Sequence, residues 1–173
     1  MSREILFKGK RKDWRELPKE YWWVEGNYIT DEKDKSKAYI GYLFGVEDGV
    51  VEDCDITEID PETLCQYTGV NDGTRWEQLS GTEQRKFLVE WNIKKDRQNR
   101  KEDWNGRKIW ENDIVDTYEA DSKETLRNVV KFDSGCFKVY KEHYLPMNLD
   151  NYEKEEFKIV GNIFDNPELL KED

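Results

Sequence analysis

The stretch NVVKFDSGCFKVY, residues 128–140, predicts a β-hairpin and sets the fold class of the chain. Val130 and Phe132 alternate with polar residues before the DSG loop at residues 133–135, and the alternation resumes at Phe137. Alternation with a period of two places the apolar side chains on one face of a strand, and Gly supplies the positive φ of a tight turn. We therefore expect two antiparallel strands joined by a three-residue loop.

Short segments of the same β type lie on both sides of this hairpin. They are rich in Trp, Tyr, Val and Ile and end at Gly, Asn or Asp, which is typical of strands joined by turns. We predict a mainly β fold, an antiparallel multi-strand body of barrel-like or sandwich form, built as a single domain over residues 1–173. The further strand segments are residues 5–7, 22–29, 38–46, 50–56, 114–115 and 159–164.

The composition allows a core despite the high charge. The 173 residues include 28 Lys and Arg against 39 Asp and Glu, which gives a net charge of -11. Seven Trp, nine Tyr and seven Phe supply large side chains, each able to bury on the order of 150 to 250 Å². No long apolar run is present, and the N-terminal stretch is broken by charges, so we expect no membrane span, no signal peptide and a cytoplasmic location.

The charge is distributed unevenly. Residues 21–73 carry three basic and thirteen acidic side chains, whereas residues 74–108 carry ten basic and six acidic ones. Within the basic part, Ser80 and Glu83 have the spacing of a helix capping box. We predict a basic helical insertion at residues 74–104, with the helix continuing to about Arg100.

The insertion contains the candidate binding residues. Basic side chains interleaved with aromatic ones can hold phosphates and stack bases, so these residues form a candidate polyanion site. The alternative is a solvated helix face that docks on the acidic body of the same chain. The candidates are Arg85, Lys86, Trp91, Lys94, Lys95, Arg97, Arg100 and Lys101.

The sequence contains no pattern typical of catalysis. His143 is the single histidine, no nucleophile or phosphate-binding motif is present, and Cys54, Cys65 and Cys136 have neither redox nor zinc spacing. The acidic run at residues 52–62 lacks the register of a calcium loop. We therefore predict no catalytic residue, no cofactor and no metal ligand, and expect a protein that is not an enzyme.

Five segments resemble the YopX-like family of uncharacterised bacteriophage and prophage proteins. The central segment is similar to a P-E-T-x-x-Q-Y-T-G pattern, and the last is similar to G-N-I-[YF]-D-N-P-E-L-L. The resemblance covers nearly the whole chain. The segments are residues 3–11 with 22–26, 60–69, 105–115, 130–137 and 161–170.

The chain departs from the family pattern at two places. Asn112 stands where the family has Gly, so we expect Asn to adopt a positive φ there. The stretch from about Gly73 to Trp104 is longer than the usual link, which indicates an insertion. The resemblance implies a mainly β phage protein and assigns no catalytic residue.

The resulting prediction is a non-enzymatic interaction protein of phage or prophage origin. Its partner is a host or phage macromolecule, with a protein favoured, and it acts in the cytoplasm of the bacterial host. The alternatives are a nucleic-acid-binding protein that uses the basic insertion, an acidic mimic of DNA, and a hydrolase with a carboxylate-bound metal. Exposed edge strands also favour homo-oligomers.

Overall fold

The structure, a computed structural model, describes residues 5–47, 50–92, 97–119, 124–141 and 144–171. The chain divides into two compact units, Met1–Gly69 and Val70–Asp173. The single domain over residues 1–173 stays a prediction. Both units contain antiparallel sheets, which confirms the mainly β class. Among the described residues, no helix is long and apolar enough to cross a membrane.

The first unit is a meander of long strands. The strand order is β4-β3-β2-β1-β5, and all the pairings that are defined in it are antiparallel. A 3-10 turn at Pro61–Thr63 leads into β5, with Asp60 accepting from the amide of Glu62. The strands are β1 (Phe7–Lys10), β2 (Trp23–Thr30), β3 (Ala38–Glu47), β4 (Val50–Ile59) and β5 (Cys65–Asn71).

A buried lysine anchors the first strand of this unit. Lys10 is 2% exposed, and its ammonium nitrogen lies 4.0 Å from the ring centroid of Trp14 and 4.7 Å from that of Trp22. Its backbone amide donates to the hydroxyl of Thr63 at 2.8 Å. Because aromatic faces carry negative charge, they replace part of the hydration that the ammonium loses on burial. The tryptophans of this unit therefore stabilise a charge as well as a core.

The second unit contains the other sheet, called here the second sheet. Its order is β12-β11-β10-β9-β13. The strands are β6 (Trp91–Asn92), β7 (Arg97–Gln98), β8 (Lys108–Trp110), β9 (Asp113–Glu119), β10 (Glu124–Asp133), β11 (Cys136–Tyr140), β12 (Met147–Asn148) and β13 (Phe157–Asn162).

One face of the second sheet forms the core of the second unit. Val130 and Val139 lie opposite each other on β10 and β11, and both are buried, as the alternation predicts. Fully burying a side chain of this size contributes roughly 1.5 to 3 kcal/mol. The buried cluster consists of Ile109, Val115, Val130, Phe137, Val139, Leu149 and Phe157.

The hairpin turn is tighter than predicted. Asp133 pairs with Cys136, so the loop contains two residues, Ser134 and Gly135, and both have positive φ, at 52° and 86°. Two consecutive positive φ angles are typical of a type I′ turn, which matches the right-handed twist of the flanking strands better than a type I or II turn does. The prediction for Asn112 is confirmed, because its φ is 67°.

The insertion contains a shorter helix than predicted. The capping box is present, with the amide of Glu83 donating to the Ser80 hydroxyl and Ser80 N donating to the Glu83 carboxylate, but α1 spans only Gly81–Val89. The prediction of a helix to about Arg100 is therefore wrong. Glu90 is extended, β6 and β7 pair as a short ladder, and the Asn99 side chain donates to the carbonyl of Phe87 at 3.2 Å. This bond satisfies a carbonyl at the helix end, where the intrahelical donors run out.

A buried aspartate holds the insertion to the second sheet. Asp72 is 1% exposed, and its carboxylate accepts from the amides of Thr74 (3.0 Å) and Arg107 (2.9 Å) and, more weakly, from that of Ile159 (3.4 Å). Gly106 has a φ of 88°, and a Cβ there would lie 1.9 Å from the Asp72 carbonyl oxygen. Only glycine fits this approach, so both ends of the insertion meet at Asp72.

Candidate interaction surface

Three cations of the predicted polyanion set lie in ion pairs among the described residues. Arg97 makes two 2.8 Å hydrogen bonds to the carboxylate of Asp103, and Arg100 lies 3.8 Å from the same group. Lys101 pairs with Glu77 at 2.9 Å. These three cations therefore pair with carboxylates inside the insertion, and docking of the insertion on the acidic body stays a prediction.

The other predicted residues are dispersed. Arg85 and Lys86 are exposed on α1 and form no ion pair with another described residue. Trp91 lies beyond the end of α1, in strand β6. Lys94 and Lys95 lie outside the described residues, as does His143. Nucleic-acid binding through this set therefore stays a prediction, without a described surface that joins its members.

The insertion has a small aromatic core of its own. The rings of Trp76, Phe87 and Trp104 meet edge to face, with centroids 5.1 to 6.2 Å apart. The indole nitrogen of Trp104 donates to the carbonyl of Thr74 at 2.8 Å. Edge-to-face pairs are each worth about 0.5 to 1.5 kcal/mol beyond the area they bury. Trp104, which was near the predicted patch in sequence, is thus occupied by packing.

An ion pair between Arg107 and Glu83 connects the helix of the insertion to the residues that follow the insertion. Arg107 donates to the carboxylate of Glu83 at 2.8 Å. Partial burial raises the pKa of Glu83, but the hydrogen bonds from Ser80 and Arg107 outweigh it, so the pKa of this carboxyl is lowered. The capping glutamate is therefore charged at neutral pH and links the start of α1 to the strand that follows the insertion.

A different basic surface lies on the second sheet, on the side opposite its core. Residues that pair directly share a face, so the strand register defines it. Arg127 lies opposite Asp116, Val129 opposite Tyr140, and Lys131 opposite Lys138. This outer face consists of Ile114, Asp116, Tyr118, Thr125, Arg127, Val129, Lys131, Asp133, Cys136, Lys138, Tyr140, Asn148 and Lys158, of which Ile114 is fully buried.

Two carboxylates on the outer face are neutralised by neighbours. Arg127 donates to Asp116 through two hydrogen bonds of 2.9 and 3.1 Å. Asp133 accepts from the ammonium of Lys138 and the hydroxyl of Tyr140, both at 2.8 Å. The hydrogen bond from Lys138, followed by those from Tyr140 and Ser134, lowers the pKa of Asp133 to about 2. The same contact with Asp133 raises the pKa of Tyr140.

A shallow groove of about 550 Å³ runs across the turn end of this face. Phe132 is 48% exposed and forms part of its lining. Lys131 and Lys141 stand beside it, and neither forms an ion pair with a carboxylate of the described residues. The lining residues are Val129, Lys131, Phe132, Asp133, Tyr140 and Lys141.

Reasoning from the sequence missed this surface. The hairpin was analysed for its apolar positions, which form the core, and its polar positions were not assigned a role. The signal was present in the alternate residues of the same stretch, where Lys131, Lys138 and Tyr140 follow the two-residue period. The basic residues at 94–101 were predicted instead because they are adjacent in sequence, whereas the cations of the outer face are brought together only by strand pairing.

The segment that carries the outer face also carries the family motifs. It contains the positive φ angles of Gly106 and Asn112 and the whole second sheet. Residues 101–171 match the YopX protein family. The resemblance that was stated from the sequence is confirmed over this range. The N-terminal motifs at residues 3–11 and 60–69 lie outside the match, so their assignment to YopX stays a prediction.

Two further comparisons complete the picture. The crystal structure of protein EF1440 from Enterococcus faecalis is similar to the chain at 16% sequence identity, with 98% of this chain and 100% of that chain covered and a TM-score of 0.47. No curated protein matches the chain. The YopX match over residues 101–171 includes every residue of the groove.

Proposed function

We propose that this protein is a non-enzymatic interaction protein that binds a macromolecule of its bacterial host, or of a phage, through the outer face of the second sheet. The observation that carries the proposal is the contrast between the two faces of one sheet. The core face is closed by apolar packing, whereas the outer face exposes cations and aromatic rings around a groove.

An exposed ring beside the groove supports a binding role. Tyr144 is 57% exposed, and its ring centroid lies 4.6 Å from the ammonium of the groove residue Lys141. Each exposed Å² of apolar surface costs about 25 cal/mol relative to burial, so a partner that covers the ring gains this free energy.

Capture with matched variants tests the proposal. Tagged wild-type protein, the groove variant K131E/K141E and the control R85E/K86E would be incubated with a bacterial lysate, and both proteins and nucleic acids recovered would be identified. Each variant reverses two exposed or half-exposed cations, so the change in net charge is the same. We expect wild type and control to recover the same macromolecule and the groove variant to lose it.

Two results would contradict the proposal. Equal recovery by all three proteins would show that the outer face is not the binding surface. Loss in R85E/K86E with retention in K131E/K141E would instead support binding through the insertion. Circular dichroism and thermal melting of each variant show whether the fold is preserved before the capture is compared.

A further inference from the structure

The groove on the outer face combines two kinds of group that rarely meet on a solvated sheet. Lys131 is exposed, and Lys141 lies half-buried at the far side. Tyr140 lines the groove with them, whereas the ring of Phe132 packs on Phe137 of the core face. The ammonium of Lys141 lies 4.6 Å from the ring centroid of Tyr144, which is 57% exposed. The groove and its edge therefore present lysine side chains and tyrosine rings to the same ligand.

The charge balance of the groove is positive although the chain is acidic. Asp133 is the one carboxylate in the lining, and its charge is offset by Lys138, which donates to it at 2.8 Å. Lys131 has only a 3.4 Å hydrogen bond to the side-chain oxygen of Asn112. Lys158 extends the positive charge along the face, opposite the Asp116–Arg127 pair. An anionic ligand thus finds cations whose charge is not cancelled by described carboxylates.

We propose that this groove binds single-stranded nucleic acid, with Lys131 and Lys141 at phosphates and with the exposed ring of Tyr144, beside Lys141, stacked on a base. The inference rests on the proposed function and names the partner class of the same surface. Aromatic rings that alternate with cations suit a chain in which bases alternate with phosphates. A single strand fits better than a duplex, because only unpaired bases present a free ring face to a side chain.

The expected affinity is modest and depends on salt. Each phosphate contact on a single strand contributes about -0.7 to the slope of log K against log salt. Two or three contacts give a slope of roughly -1.4 to -2.1, so binding weakens roughly 7- to 20-fold between 50 and 200 mM salt. The total charge of -11 opposes long-range attraction, which favours short, local contacts over a long binding site.

Fluorescence anisotropy with labelled oligonucleotides tests the inference. Twelve-residue dT and rU strands and a duplex of the same length would be titrated with the full chain at about 50, 100 and 200 mM salt. We expect the single strands to bind more tightly than the duplex. K131Q should reduce the salt slope by about 0.7, and Y144L should weaken binding at least about fivefold while leaving the slope unchanged.

The control R85E/K86E and an acidic peptide of poly-Glu separate the rival explanations. The control should bind like wild type, and the peptide should compete only weakly because it lacks bases. No binding of any oligonucleotide at about 50 mM salt would overturn the inference, as would poly-Glu competing as well as oligonucleotide.

The same experiments separate failure of this inference from failure of the proposed function. If oligonucleotides do not bind but K131E/K141E still loses a captured protein, the outer face is a protein-binding surface and only the inference falls. If the groove variant changes neither capture nor oligonucleotide binding, both fall. A loss of oligonucleotide binding in R85E/K86E alone would move the site to the insertion and overturn the inference.

Discussion

The insertion and the outer face hold comparable sets of basic side chains and use them in opposite ways. In the insertion, Arg97, Arg100 and Lys101 lie close to carboxylates of the same segment. On the outer face and its groove, Lys131, Lys141 and Lys158 form no ion pair with a described carboxylate. A high local density of Lys and Arg in a sequence thus indicates a binding surface only where the fold leaves those charges without partners.

The difference follows from the structure available to each region. The insertion has few apolar residues, and its helix is short, so ion pairs and one aromatic cluster hold it together. The second sheet is already stabilised by its buried face, and on or beside the opposite face Lys131, Lys141 and Lys158 have no ion-pair partner among the described residues. The predictions below test this division between charges that stabilise the fold and charges that bind.

The largest effect is expected at the junction that holds the insertion to the second sheet. Asp72→Ala leaves the amides of Thr74, Arg107 and Ile159 without their acceptor. Hydrogen bonds to a buried charge contribute about 1.5 to 3 kcal/mol each, so we expect the free energy of unfolding to fall by at least about 3 kcal/mol. Urea denaturation measures it. The exposed control Asp150→Ala should change stability little, and equal losses in both variants would refute the junction role.

A smaller loss is expected from the aromatic core of the insertion. Trp104→Leu removes the ring contacts with Trp76 and Phe87 and the hydrogen bond to Thr74. The summed loss is about 2 to 3 kcal/mol. Trp104→Phe keeps a ring but loses the donor, so it should cost about 1 kcal/mol. If the Leu variant were as stable as wild type by thermal melting, the cluster would not hold the insertion.

A direct contrast comes from neutralising one cation in each region. Arg97→Gln breaks the pair with Asp103 and should lower the melting temperature slightly without changing oligonucleotide binding. Lys131→Gln should leave the melting temperature unchanged and weaken binding. The melting temperature and the oligonucleotide affinity would be measured for both variants. The division fails if Arg97→Gln weakens binding more than Lys131→Gln does.

The smallest effect concerns the titration of Asp133. Its pKa is about 2 in the folded protein, below the ordinary value near 3.9, chiefly because Lys138 donates to it. A lowered pKa stabilises the fold fully above about pH 4, and this contribution is lost as the pH falls towards 2. In Lys138→Met, NMR titration of the carboxyl should show the pKa of Asp133 rising towards its ordinary value. An unchanged pKa would show that Lys138 does not hold the carboxylate.

Much of the local structure could be predicted from the sequence. The alternation in residues 128–140 predicted the central hairpin, the spacing of Ser80 and Glu83 predicted the start of α1, and Asn112 was correctly expected at positive φ. Each of these depends on contacts within a few residues along the chain, where propensity and spacing act directly. The start of the helix was predictable for this reason.

Contacts between distant residues decided the remaining features. The helix end at Val89 depends on Asn99, and the attachment of the insertion depends on Asp72 meeting residues 106–107 and 159. Whether a cation forms an ion pair likewise depends on which carboxylate the tertiary structure places beside it. Lys101, for example, pairs with Glu77. The amino-acid sequence alone therefore determined the strands, the cap and the acidic balance, because these follow from short-range chemistry. Only the tertiary structure decided which charges stay free to bind, because strand register and loop packing place residues far apart in sequence on one surface.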